Sequence, residues 1–187
     1  MNKGTLKGCK IAILATNGFE QSELMKPKKL LEEAGATTVV IAPGDESHIK
    51  GWNHGEWGGQ VEVDVPLGKA RASDYDALVL PGGVINPDKL RLHEKAIDFI
   101  RAFGRTGRPV AAICHGPWTL INAGLVRDKH LTSWPSLRVD LENAGARWED
   151  SEVVESGNLI TSRKPDDIPA FTHTLIRALE ERRAEAA

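Results

Sequence analysis

Residues 10–44 read KIAILATNGFEQSELMKPKKLLEEAGATTVVIAPG. The first six, Lys10 to Ala15, are a short apolar run rich in Ile that ends at Thr16-Asn17-Gly18, as a strand buried on both faces does before a turn. From Gln21 to Ala34 the apolar positions Leu24, Leu30, Leu31 and Ala34 recur at helical spacing, and Gly35 supplies a C-terminal stop. Pro27 falls early enough in that helix to be tolerated or to bend it. Thr37 to Ala42 is a second β-branched run, closed by Pro43-Gly44. Strand, helix and strand within about thirty residues make a βαβ unit with parallel strands and a right-handed crossover.

The same alternation continues outward. Asp76 to Leu80 (DALVL) is a buried-type strand that meets Pro81-Gly82-Gly83, and His93 to Phe103 is a helix with Ala96, Ile97, Ile100 and Phe103 on one face. Pro109 to Ile113 is another buried strand, running straight into Cys114-His115-Gly116-Pro117. A helix over Trp118 to Ala123 follows, with Pro117 suited to its first position. Ser136 to Ala144 reads as a helix, Val153 to Ser162 as a hairpin around Gly157-Asn158, and Asp166 onward as a long amphipathic helix. Asp45 to Gln60 is polar, aperiodic and glycine-rich, which predicts an ordered surface loop in which Trp52 and Trp57 pack or wall a pocket. Val61 to Val65 alternates as a half-exposed strand at an edge or in a side hairpin.

This order predicts one α/β domain over residues 1–187: a flavodoxin-like, doubly wound, mostly parallel sheet sandwiched between helices. Ligands in such sheets bind beyond the carboxyl ends of the strands. The turns at Thr16 to Glu20, Pro81 to Gly83 and Cys114 should therefore converge on one crevice.

The net charge is −2 and the basic residues are scattered, so no nucleic acid or anionic membrane is expected as a partner. The apolar stretch near the amino terminus is too short for a signal or a span, and a cytoplasmic location is the expectation. Cys9 and Cys114 lie far apart without metal-ligand spacing, so neither a metal nor a cofactor is expected. Cys9, before the first strand, reads as a small filler.

Cys114 is different. Ala112 and Gly116 flank it where a buried strand gives way to a helix, as a sharp nucleophile elbow requires, and the helix amino terminus favours thiolate over thiol. His115 is the adjacent base, Glu20 closes the first turn within reach of the sulfur, and Gly82 and Gly83 offer unobstructed N–H groups that, with the His115 N–H, could form an oxyanion hole. Each has a plainer reading: an inert buried cysteine, a packing or capping histidine, a helix N-cap at Glu20, a simple Gly-Gly turn.

The runs TNGFEQSEL, DYDALVLPGG, LRLHEKA and AAICHGPWTLINAGL, in this order, resemble the PfpI branch (intracellular protease I) of the ThiJ/PfpI superfamily, over nearly the entire chain. The resemblance implies the flavodoxin-like fold shared with class I glutamine amidotransferases, a link to stress, and a homo-oligomer, at least a dimer, that contributes to the site. It also implies that Cys114 is the nucleophile, Glu20 the acid beside it and His115 its neighbour, with Glu94 reaching that histidine from an adjoining subunit. Trp118 and Trp134 stand where relatives often carry a smaller polar residue and Tyr, and either indole could narrow the pocket. His173-Thr174-Leu175 lacks the late His and Glu of a glutamine amidotransferase, so that activity is set aside. Three readings remain: a cysteine peptidase, a glyoxalase or deglycase acting on reactive aldehydes or their protein adducts, and a non-enzymatic oxidative-stress sensor or chaperone. The expected substrate is accordingly a peptide or a small carbonyl compound.

Overall fold

The computed structural model describes residues 4–186. In chain order, β1 (Lys10–Leu14) leads to the two-residue β2 (Phe19–Glu20), α1 (Gln21–Glu33) and β3 (Thr37–Ala42). A hairpin of β4 (His48–Asn53) and β5 (Glu56–Glu62) precedes β6 (Val65–Pro66), and β7 (Ala77–Leu80) is followed by α2 (Ile85–Leu90) and α3 (Glu94–Gly104). β8 (Val110–Ile113) runs into α4 (Pro117–Asn122), β9 (His130–Leu131), α5 (Arg138–Asn143) and β10 (Arg147–Trp148). The chain closes with β11 (Val154–Ser156), β12 (Leu159–Ser162) and α6 (Ile168–Ala186).

Seven strands form the central sheet in the order β11-β12-β8-β7-β1-β3-β6, and β11 is its antiparallel member. This is the flavodoxin-like, doubly wound sheet that the alternating pattern predicts. The reason lies in the period-two division of each strand. Ile11 and Ile13 enter one core with Leu24 and Leu31 of α1 and Phe171 and Leu175 of α6. Ala12 and Leu14 enter the other with Phe99 and Phe103 of α3 and Leu120 of α4. A sheet buried on both faces needs strands that are apolar along most of their length, and past the exposed Lys10 and Thr37 the strands KIAIL, TTVVIA, ALVL and VAAI are buried throughout.

The stretch expected as a loop between Asp45 and Gln60 is instead the β4–β5 hairpin, which forms a separate three-stranded sheet with β2. Asn53 pairs with Glu56, leaving His54 (φ 48°) and Gly55 (φ 96°) as a two-residue turn with both φ positive, the geometry that matches strand twist. Trp52 and Trp57 face each other across the strands edge to face, centroids 5.3 Å apart, so the two indoles pack as a cross-strand pair. The alternating Val61 to Val65 is divided: Val61 and Glu62 end the hairpin, and Val65 pairs with β3 at the sheet edge. Among the described residues, no helix is long and apolar enough to cross a membrane.

Candidate active site

The carboxyl ends of β1, β7 and β8 bring three turns together. At the end of β8 the chain turns so sharply into α4 that Cys114 adopts φ 61°, left-handed backbone that a side chain rarely tolerates. Both its main-chain groups are committed: its N–H donates to the Ser162 carbonyl (2.9 Å) and its carbonyl accepts from the Trp134 N–H (2.9 Å). Gly116 makes room for the bend, because a Cβ there would stand 2.5 Å from the Leu80 carbonyl oxygen. Gly82 does the same from β7, where a Cβ would stand 2.8 Å from that of Cys114. The elbow inferred from small flanking residues is thus a property of the backbone.

The carboxyl beside the sulfur is that of Glu23, whereas Glu20 is directed elsewhere. Glu20 holds the N-cap position of α1 without a side-chain capping bond, and its Oε1 accepts from the Ser22 hydroxyl at 3.2 Å. Helix geometry accounts for the correction. α1 buries Glu23, Leu24, Pro27 and Leu31, one face at i, i+1, i+4 and i+8, so the acid on the inner face is Glu23, while Glu20 leaves the chain before the helix begins. That periodicity was available in the sequence, and a glutamate on an apolar helix face was its signal.

Glu23 has no solvent exposure. Its Oε2 accepts the Gly82 N–H at 2.8 Å, Oε1 has no hydrogen-bond partner among the described residues, and the carboxyl interacts with the Cys114 side chain. Burial dominates and pushes its pKa up to about 8 against the pull of Gly82 and Cys114, so Glu23 carries its proton at neutral pH. Contrary to the thiolate expected at a helix amino terminus, the buried Cys114 thiol is pushed up, first by burial and then by any charge on Glu23, which outweigh the opposite pull of the His115 and Gly83 N–H groups. Those two N–H groups belong to the pair of turns from which an oxyanion hole was expected; the N–H of Gly82 is taken by Glu23.

His115 Nδ1 lies 3.3 Å from Cys114 Sγ, so the bend brings sequence neighbours into a side-chain contact. Burial lowers the imidazole pKa, leaving it neutral at pH 7. Two indoles flank the ring: Trp118 edge to face at 5.2 Å and Trp134 stacked at 6.2 Å with 22° between planes. Trp118 is fixed in turn, its Nε1–H donating to Asp140 Oδ2 at 2.8 Å while the Arg91 guanidinium lies 5.3 Å from its ring centre. Glu94 is the first residue of α3, exposed, and lines a different hollow with Asp45, Lys69 and His93. Within one chain it is not brought to His115. Cys9 is buried against the core, 3.2 Å from an Arg183 nitrogen, away from this crevice. Among the described residues no group of three His, Cys, Asp or Glu side chains could hold a metal ion.

A doubly wound sheet that ends in a strained cysteine elbow, backed by a fully buried glutamic acid, defines a class of cysteine-bearing α/β proteins. Within it the chain belongs to the DJ-1/PfpI family, which it matches over residues 9–178. It is 43% identical to general stress protein 18 of Bacillus subtilis, over 93% of this chain and 99% of that one. Deglycase PfpI of Pyrococcus furiosus is 40% identical, over 91% and 99% of the two chains. Among solved structures, the two-domain Anabaena variabilis protein containing DJ-1/ThiJ/PfpI-like and ferritin-like domains superposes with a TM-score of 0.86 at 37% identity. The match covers 91% of this chain and 48% of that longer one.

Proposed function

We propose that the protein is a cysteine-dependent enzyme of the glyoxalase or deglycase type, acting on small reactive aldehydes or their early adducts. One observation carries this reading: a fully buried glutamic acid, fixed by the Gly82 N–H, interacts with the Cys114 side chain, and burial keeps its proton on. Peptide hydrolysis needs a base and an oxyanion hole, whereas rearranging a dicarbonyl also needs a group that takes a proton from one carbon and returns it to the next. Glu23 is such a group.

For methylglyoxal, Cys114 sulfur bonds to the aldehyde carbon as its proton passes to neutral His115 and the carbonyl oxygen takes the Glu23 proton, giving a hemithioacetal. The Glu23 carboxylate then removes the C–H proton while His115 protonates the neighbouring carbonyl oxygen, forming an enediol. Glu23 returns its proton to the neighbouring carbon and receives one from the hydroxyl on the sulfur-bearing carbon, leaving a thioester. Water hydrolyses it to lactate and free thiol. In an early adduct on an amine, sulfur replaces nitrogen at the same carbon and the amine departs with a proton. The N–H groups of Gly83 and His115 would hold the oxygen as charge develops. Similarity to a relative named a deglycase supports this choice within the family.

Lactate release from methylglyoxal tests it. Wild-type turnover should vanish in Cys114→Ser, and a wild type that cleaves casein-type peptides without producing lactate would overturn the reading. The 3.3 Å contact between His115 and Cys114 is what favours that peptidase alternative. It would need Glu94 of a second copy to orient the histidine, so peptide cleavage should fall in Glu94→Gln and on dilution to monomer.

A further inference from the structure

Asn86, in the first turn of α2, is fully buried and uses both ends of its side-chain amide. Its Oδ1 accepts the Thr16 N–H at 2.8 Å, and its Nδ2 donates to the carbonyls of Pro81 at 3.0 Å and Gly82 at 3.2 Å. Those carbonyls belong to consecutive peptide units, and the N–H groups of the same two units are those of Gly82 and Gly83. A trans peptide is planar, with its C=O and N–H directed oppositely, so whatever fixes the oxygen aims the hydrogen. The Gly82 N–H is bonded to Glu23 Oε2, and the Gly83 N–H acts on both the Cys114 thiol and the Glu23 carboxyl. One buried amide therefore stands behind both of these donors. Gly18 lets α2 close on the first turn, since a Cβ there would stand 2.5 Å from that of Ile85.

We propose that Asn86 is a positioning residue: it ties the Thr16 turn to the Pro81–Gly83 turn and, by holding two peptide units from behind, aims the Gly82 N–H at the buried acid and the Gly83 N–H at the reacting centre. The proposal rests on Cys114 and Glu23 as the working pair and adds the group that keeps their donors in place. Being buried behind the turn, Asn86 meets no substrate and acts through the main chain. A donor on a peptide oxygen also strengthens the N–H across the same unit, because hydrogen bonds in series polarise one another. The benefit is greatest where negative charge develops on the substrate oxygen, so it falls on kcat and spares KM. Only a planar group with an acceptor at one end and two donors at the other meets all three partners.

Lactate formation and amide NMR together test the clamp, with rates taken per folded molecule and the folded fraction read from the same spectra. Asn86→Leu, which keeps a similar volume and removes all three bonds, should lower kcat about ten- to a hundredfold with KM within about twofold of wild type, and should move the Gly82 and Gly83 amide protons upfield. Asn86→Asp keeps the bond from Thr16 and, while protonated, donates to one carbonyl. Its deficit against wild type should be smaller at about pH 6 than at about pH 9, where a carboxylate would face both oxygens. A rise in KM at unchanged kcat overturns the proposal, as does full activity in both variants. So does a loss of kcat with the two glycine resonances unmoved, which would make the effect one of packing. If Asn86→Leu does not fold, Asn86→Asp decides, and a deficit that stays flat with pH overturns the clamp. If the wild type forms no lactate, the enzyme reading fails by itself and the resonances decide: upfield movement in Asn86→Asp supports the clamp, and unmoved resonances overturn it.

Discussion

Two glutamates three residues apart illustrate what separates an attractive position from a working one. Glu20 sits in the turn after β1 and, read along the chain, stands closest to where a nucleophile would be; Glu23 lies one helical turn further on and is the acid that meets the sulfur. Cys114 and His115 were legible because CHGP after a buried strand admits few backbone solutions. The acid was not, although the helix start at Gln21 was, because only apolar residues counted towards its inner face and Glu23, buried beside Leu24, fell outside that count. Substitution separates the two roles. Glu20→Gln should leave lactate formation within about threefold of wild type, since among the described residues its side chain is hydrogen-bonded to Ser22 and touches Glu23 through charge alone, as a lesser contribution than burial. Glu23→Gln, which keeps the shape and removes the transferable proton, should lower kcat by about a hundredfold or more. Steady-state kinetics on both variants check this, and equal losses would argue against Glu23 as proton carrier.

Among the elements, the strands of the central sheet were the most readable because burial on both faces leaves an unbroken apolar run. The β4–β5 hairpin was the least readable. Its exposed residues carry no apolar period, its turn uses His54-Gly55 in place of the commoner Asn-Gly, and part of its support is distant: the Gln21 side chain accepts the Gly59 N–H at 2.6 Å. The β8–α4 junction lies between these extremes, with its small residues visible and its tightness not. Gly116→Ala should expose that tightness. The added methyl meets backbone oxygens of Leu80 and Ile113, which cannot step aside as a side chain would, so a destabilisation of about 1–3 kcal/mol is expected. Urea unfolding of the variant measures it, and alkylation of Cys114 should slow as well because β8 and α4 must part to make room.

For the molecule as a whole, the buried acid couples the site to stability. An unfolded chain releases the Glu23 proton near its ordinary value of 4.5, whereas the folded chain holds it to about 8. Between those values the native state binds the extra proton, so the benefit is whole below about pH 4.5 and is lost as pH rises to about 8. Its slope is at most about 1.4 kcal/mol per pH unit from this group. Glu23→Gln should flatten that part of the stability profile and melt higher than wild type at pH 8, which calorimetry across pH 5–9 would show. The left-handed backbone of Cys114 has a related consequence for anyone who engineers this protein. Glycine accepts that conformation freely, so Cys114→Gly should raise the melting temperature even as it removes the sulfur. Selection for thermal robustness alone would therefore discard the one atom on which the proposed chemistry turns, and libraries built from this scaffold must be screened for reactivity and endurance together.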